Sequence, residues 1–283
     1  MILVTGAGGQ VGCSVIRALN RLGQGVRAFV HREENREKVL DAGATEVFVG
    51  DMNEECDLRT AFQGVDTVYY ICSAQNPEED EIGRKTIRIA REQGDVYFVY
   101  HSVLHALLEE MPHHKKKQNV EQMLVDSGLT YAIVQPAVFM QMLMPAVRVV
   151  KNGGPAPQKF YRNDDTRMNF IDMDDFAEAA AQIISSREYA FGTYELAGAE
   201  NISRGDLEEL LSRAAGRTVR TVFLEDAVFL KNAGIPPETY RAKTMLKMFH
   251  HYNIHSFLGN SRGFEMILGR TPMGLSDFIG RYL

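Results

Sequence analysis

The sequence predicts an α/β fold: a doubly wound parallel sheet with a smaller C-terminal lobe. Three observations carry that expectation. A short apolar run, Ile2-Leu3-Val4, passes straight into the glycine-rich stretch Thr5-Gly6-Ala7-Gly8-Gly9-Gln10-Val11-Gly12, and a helical apolar pattern (Val11, Val15, Leu19, Leu22) starts at once. Strand-like and helix-like segments then alternate through the first part of the chain, the pattern of a parallel sheet with helical crossovers. No internal repeat, low-complexity segment or linker rich in Pro, Gly and Ser interrupts them.

The 283 residues are enough for a sizeable core, with 45% hydrophobic and 24% charged residues. The net charge of −6 and pI of about 5.8 argue against a nucleic-acid surface. The chain enters its first strand at once, so no signal peptide is expected. No apolar run approaches a membrane span either. Cys13, Cys56 and Cys72 are scattered and odd in number, the pattern of reduced thiols in a cytoplasmic protein. Each is expected as a small buried apolar residue, and no metal site is expected.

The glycine stretch is built to hold a pyrophosphate. Glycines let the backbone turn tightly and approach a ligand, and the helix N-terminus offers unpaired N–H groups and a positive dipole end. Gly6, Gly9 and Gly12 give the spacing G-x-x-G-x-x-G, whereas the common Rossmann spacing would need glycine in place of Val11.

In chain order, the first helix is expected to end near Gly23. Residues 26–30 alternate and read as the second strand, followed by His31 and Arg32. This strand end, about 20 positions after the glycine turn, meets the adenosine ribose in a dinucleotide fold. A guanidinium there suits a 2′-phosphate, so Arg32 selects NADP(H); a solvated surface arginine beside Glu33 and Glu34 is the plainer alternative. Residues 35–42 read as helix and 46–50 as the third strand, closed by Asp51-Met52. Asp51 is placed to accept from an adenine amino group while Met52 packs on the ring, or else to serve as helix N-cap or turn aspartate for the next segment. Residues 58–62 read as a short helix and 66–72 as the fourth strand. Backbone at Cys72, Ser73 and Ala74 should run along the cofactor, because open α/β sheets bind ligands at strand carboxyl ends. Residues 77–80 read as an acidic loop, 82–93 as helix and 96–100 as the fifth strand, followed by His101-Ser102.

Residues 111–121, Met111-Pro112-His113-His114-Lys115-Lys116-Lys117 onward, open a further helix with Pro112 in its first turn. His113 and Lys117 then stand one turn apart on one face. The chain here resembles the NmrA-like branch of the short-chain dehydrogenase/reductase superfamily, of the atypical kind. The resemblance is carried by Thr5 to Gly12, Arg32, Asp51, Ser102, the run from Met111 through Lys117 to Glu121, and the stretch Val134-Gln135-Pro136-Ala137-Val138-Phe139-Met140. It implies that Lys117 binds the nicotinamide-ribose hydroxyls and that Pro136 lies beside the nicotinamide. The superfamily's tyrosine, four residues before the lysine, is here His113, which can serve as proton donor in its place. Neighbouring lysines should lower the pKa of that imidazole. Ser102 either polarises a carbonyl or caps a loop.

Residues 131–135 read as the sixth strand, ended by Pro136. Phe139, Met140 and Met142 follow in a methionine-rich stretch that suits an adaptable apolar substrate wall. Residues 153–157 break the pattern, so residues 1–152 are taken as the dinucleotide-binding region, with contributions from about 169–197, and 153–283 mainly as a substrate lobe. In that second part Asp174 or Asp175 is expected to cap a helix over 176–185, Ser203 a helix bearing Leu207, Leu210 and Leu211, and Pro236-Pro237 to begin a helix through Met248. Strands are expected at 193–197 and 219–224, and a last helix at 275–282 after a turn at 269–272. His250, His251 and His255 lack metal-ligand spacing. The resemblance implies that this lobe closes over the nicotinamide.

The expected activity is an NADPH-dependent reductase passing hydride to a small apolar acceptor, a quinone, dye or enone-like carbonyl. The alternative is a non-catalytic NADP(H) sensor that binds a regulatory protein; a homodimer is also open. Epimerase-like chemistry is weaker, because the tyrosine–lysine pair is incomplete.

Overall fold

The structure is a computed structural model that describes residues 1–72 and 76–283. Ser73 and Ala74, expected along the cofactor, lie outside the described residues. The chain forms two compact units, residues 1–135 with 176–194, and residues 136–175 with 195–283. The first crossover thus falls between Gln135 and Pro136, earlier in the chain than the glycine- and proline-rich stretch at 153.

The first unit opens with β1 (Ile2–Val4), α1 (Gln10–Arg21), β2 (Val26–Val30), α2 (Arg36–Asp41), β3 (Glu46–Val49) and α3 (Glu55–Ala61). It continues with β4 (Thr67–Tyr70), α4 (Glu79–Gln93), β5 (Tyr97–His101), α5 (Pro112–Val125) and β6 (Thr130–Pro136). Further along the chain, α7 (Met173–Ser185) and β10 (Thr193–Leu196) return to it. Among the described residues, seven strands are ordered β10-β6-β5-β4-β1-β2-β3. The ladders β1–β2, β1–β4, β2–β3, β4–β5 and β5–β6 are parallel. Strand order reverses between β1 and β4, which leaves a crevice at their carboxyl ends.

The expected alternation of β2 is not what its burial shows. Val26, Ala28, Phe29 and Val30 are all buried, because a parallel sheet is covered on both faces. The core clusters Leu3, Phe29, Val68, Tyr70, Phe98 and Tyr100 from the strands with Leu58, Phe62, Ile87, Val120 and Leu124 from the helices. Leu22 lies beyond the end of α1 and is exposed rather than part of its apolar face.

Three helices start earlier than their apolar pattern predicts. α3 begins at Glu55, α4 at Glu79 and α7 at Met173. Each carries acidic residues in its first turn, which favour the positive end of the helix dipole and hide the start from an apolar reading. The acidic loop expected at 77–80 is therefore partly the first turn of α4.

The second unit holds β7 (Val138–Phe139), α6 (Met144–Lys151), β8 (Ala156–Gln158), β9 (Arg167–Ile171), β11 (Asn201–Ser203) and α8 (Arg204–Ala215). β12 (Thr221–Phe223), α9 (Asp226–Ala233), α10 (Tyr240–His255), α11 (Arg262–Leu268) and α12 (Leu275–Gly280) complete it. Its strands form the small sheets β11-β9-β7 and β12-β8. The loop expected at 153–157 instead carries β8 into that second sheet, where Pro157 is tolerated in a two-stranded edge. Ser203 caps α8 as expected, in a reciprocal capping box with Asp206. α10 starts at Tyr240, not at Pro236. The prolines hold the chain out of helix, and the Thr239 hydroxyl accepts from the Ala242 amide at 3.2 Å.

The cap of α7 is also corrected. Asp172 accepts from the amides of Asp174 (3.0 Å) and Asp175 (3.3 Å). Asp175 instead accepts from Arg270 at 2.8 Å and from the Met273 amide at 2.5 Å, tying down the turn before α12. Among the described residues no helix is long and apolar enough to cross a membrane, and no three metal-ligating side chains converge.

Candidate active site

The crevice between β1 and β4 is lined first by backbone. Thr5, buried, locks the two strand ends together: its hydroxyl donates to the Ile71 carbonyl (2.9 Å) and accepts from the Ile71 amide (2.8 Å). Gly6 follows with φ +57°, and a Cβ there would lie 2.9 Å from the Ile71 oxygen. Gly9 precedes the first residue of α1, and its amide donates back to the Gly6 carbonyl at 3.1 Å. A Cβ on Gly12 would lie 2.7 Å from Ala7 Cα, Ala7 O and Gly6 O, so the turn folds directly onto the first turn of α1. The amides of Gln10 and Val11 precede the first intrahelical bond and have no partner within the helix. Lys38 donates to the Gly8 carbonyl at 2.5 Å and holds the outer side of the turn. This cradle fits a pyrophosphate: close backbone, free N–H groups and a helix dipole.

His31 and Arg32 follow β2 and are exposed. Arg32 reaches Glu34 at 3.3 Å, and Arg36 pairs with Glu33. Arg32 therefore keeps both its exposure and an acidic neighbour. Asp51 makes the turn that was its alternative role. Its carboxylate accepts from the Asn53 amide at 2.8 Å, while Asp57 receives the Asp51 amide at 2.8 Å. Met52 is half-buried against the core. Cys13 and Cys72 are buried, as expected. Cys56, in the exposed first turn of α3, is not.

The second part of the site gathers at the carboxyl end of β5. α5 starts at Pro112, and both His113 and Lys117 turn inward. The Lys117 ammonium donates to Glu79 Oε1 at 2.7 Å and to the His101 carbonyl at 3.1 Å. Glu79, only 1% exposed, also accepts from the Tyr100 hydroxyl at 3.0 Å. Burial first, and the Glu79 charge second, hold that phenol well above its ordinary pKa. α4 and α5 can bring these groups together because they touch at Gly83, where a Cβ would sit 2.7 Å from Val120.

His113 is buried, and its Nδ1 has no hydrogen-bond partner among the described residues. Burial, then the neighbouring His114 and Lys117, push its pKa down to about 2. The direction expected from neighbouring cations is found, but desolvation is the larger cause. His101 shares a 2.7 Å hydrogen bond with the Tyr69 hydroxyl and is held at about 3, again by burial and then by Lys117. His114 bonds through Nδ1 with the His105 carbonyl at 2.9 Å. Ser102 donates its one hydroxyl proton to Glu121, which also accepts from Gln135 at 2.8 Å. With that proton committed, Ser102 faces any ligand as an acceptor rather than as a polarising donor.

Sequence reasoning placed Lys117 and His113 together and named Ser102 and Glu121. It missed Glu79, Tyr100 and Tyr69. The only local sign for Glu79 was its place among acidic residues before an apolar pattern. Of the predicted substrate residues, all in the second unit, Met140 is buried and lines a shallow pocket with Phe170, Ile202, Met273 and Leu275. Phe139 is half-buried in β7 and Met142 is exposed. Pro136 is the buried last residue of β6.

The sequence profile of the NmrA-like family matches residues 1–271. The chain belongs to that family. This NmrA-like protein is 29% identical to quinone oxidoreductase 2 of Escherichia coli (strain K12) over 83% of each chain. It is 28% identical to the NAD(P)H azoreductase of Xenophilus azovorans, over 78% of this chain and 76% of that protein. Its fold matches that of an E. coli NADPH-dependent quinone oxidoreductase complexed with NADPH (TM-score 0.84, 24% identity, 99% of each chain). It also matches Citrobacter sp. triphenylmethane reductase complexed with NADP(H) (TM-score 0.84, 21% identity, 100% of this chain and 99% of that one). At these identities the structural likeness speaks for the NmrA-like fold alone.

Proposed function

We propose that this chain is an NADPH-dependent reductase that passes hydride to a small, largely apolar acceptor of the quinone or dye class. The observation that carries the reading is the glycine cradle at the β1–β4 crevice, with Arg32 just past the end of β2. The two relatives above, a quinone oxidoreductase and an azoreductase, support the same class.

In this reading the amides of Gln10 and Val11, at the start of α1, hold the pyrophosphate. Thr5 fixes the spacing of the two strand ends, and Arg32 faces the 2′-phosphate. Asp51 and Met52 border the adenine, and backbone at Cys72, past the end of β4, lies along the cofactor. Lys117 holds a ribose hydroxyl, and Ser102 accepts from one. When bound, the nicotinamide supplies the hydride. His113, neutral at any working pH, acts as a hydrogen-bonding group rather than as a cationic acid. A quinone demands little more, since its reduced oxygens pick up protons readily from water. Phe139, Met140 and Met142 provide apolar surface for the acceptor, and three scattered cysteines suit a reducing, cytoplasmic location.

The test is a cofactor and acceptor panel. NADPH oxidation is followed with quinones, azo dyes, triarylmethane dyes and enones, for the wild type and Arg32→Ala. Turnover on a quinone or dye is expected, with Arg32→Ala weakening NADPH about tenfold or more and NADH little. Equal loss of both cofactors removes the 2′-phosphate assignment. Tight NADPH binding with no turnover on any acceptor replaces the reductase with a sensor that needs a protein partner.

A further inference from the structure

We propose that Glu79 is the positioning residue for Lys117, fixing the ammonium so that it presents one proton to the bound cofactor. The proposal rests on the reading of Lys117 as the ribose-binding residue.

An ammonium carries three protons. One goes to Glu79 Oε1 at 2.7 Å and one to the His101 carbonyl at 3.1 Å. The third has no acceptor among the described residues. The two fixed bonds come from different elements: Glu79 opens α4 and His101 ends β5. A flexible four-carbon side chain held at both points has little rotational freedom left, so its remaining proton points in one direction. That direction starts from the carboxyl end of β5, the side of an open α/β sheet on which ligands bind.

The carboxylate is held as firmly as the lysine. Glu79 is 1% exposed and receives the Tyr100 hydroxyl at 3.0 Å. One turn further along each helix, the absence of a side chain at Gly83 lets Val120 of α5 pack directly on α4. A buried acid beside a buried base is a poor source of net stability, so its presence here points to a job in the site. That job is to keep Lys117 aimed. The other titratable groups that face Lys117 are Tyr100 and His101 on β5 and His113 one turn back on α5. None of them is an anion at neutral pH, so Glu79 alone balances the ammonium among these groups.

The experiment measures NADPH affinity directly, by fluorescence titration of the full chain at about pH 7. It compares the wild type, Lys117→Met, Glu79→Gln and the double variant, each checked by circular dichroism. Lys117→Met is expected to weaken NADPH about tenfold. Glu79→Gln is expected to weaken it about threefold, because the ammonium is then no longer held at two points. The double variant should match Lys117→Met. A Glu79→Gln protein that follows the wild type overturns the proposal. So does a double variant whose losses add, since Glu79 then acts elsewhere. If Lys117→Met binds NADPH normally, the reading of Lys117 falls, and the role of Glu79 falls with it. If Glu79→Gln does not fold, Glu79→Asp replaces it, alone and with Lys117→Met. The shorter acid should weaken binding about threefold alone and add nothing to Lys117→Met, and wild-type affinity or additive losses overturn the proposal.

Discussion

The turn after β1 and the cluster at the end of β5 face the same side of one sheet but are built by opposite means. The turn is backbone: glycines, free amides and one threonine, all within eight consecutive residues. The cluster is side chain. Glu79 and Lys117 are 38 residues apart, and Tyr69 and His101 are 32 apart. A backbone site tolerates almost no change in shape and is indifferent to titration. A side-chain site tolerates shape changes but depends on which groups hold a charge. The two regions should therefore break differently.

The largest effect is expected at the turn. In Gly12→Val the new Cβ would lie 2.7 Å from backbone atoms of Gly6 and Ala7, which cannot rotate out of the way. Such overpacking costs about 3 kcal/mol. Thermal unfolding should show a Tm several degrees lower, and NADPH titration a loss of more than about a hundredfold, because the amides that hold the pyrophosphate have moved. Near-normal binding in Gly12→Val would remove the cradle from the site.

An intermediate effect belongs to the cluster, and it depends on pH. His113 is pushed down to about 2 in the folded chain, chiefly by burial, against an ordinary value of about 6.5 when unfolded. The unfolded chain therefore takes up a proton that the folded one refuses. The stability contributed by the neutral imidazole is full above the unfolded value and is lost as pH falls below it. The loss is about 1 kcal/mol between pH 6.5 and 5.5. His101 is held low in the same way and adds to the slope. Urea unfolding of His113→Gln should show a shallower fall in stability over that interval than the wild type. An unchanged slope would mean that His113 is already solvated. Turnover should not fall with His113 protonation in the folded protein, since that group stays neutral through the same interval.

The contrast also explains what was legible in the sequence. The glycine turn, the strand that precedes it and the helix that follows are neighbours in the chain, so spacing alone identified them. Lys117 and His113 were found together because helical periodicity relates them locally. Glu79 was not found, because only the packing of α4 on α5 brings it to Lys117, and nothing around residue 79 marks it as more than one of several acids. The cap of α7 was misassigned for a related reason. Three aspartates, Asp172, Asp174 and Asp175, all suit a helix start, and the choice fell to Asp172 because Asp175 is used by Arg270, 95 residues away.

The smallest effect tests where backbone and side-chain recognition meet, at Arg32. The guanidinium lies 3.3 Å from Glu34, with both side chains about 70% exposed, at 69% and 72%. Such a pair contributes roughly 0–1 kcal/mol to stability, so Glu34→Gln should leave unfolding almost unchanged. A 2′-phosphate, however, must compete with that carboxylate for the same donors and sits within reach of its charge. Removing the carboxylate should therefore tighten NADPH about two- to threefold at low salt and leave NADH unaffected, and the gain should fade as salt screens the site. The ratio of the two affinities, measured by titration at low and high ionic strength, reads this out. A gain shared by both cofactors would show that Glu34 acts on the common part of the dinucleotide, and Arg32 would then be one more solvated surface arginine.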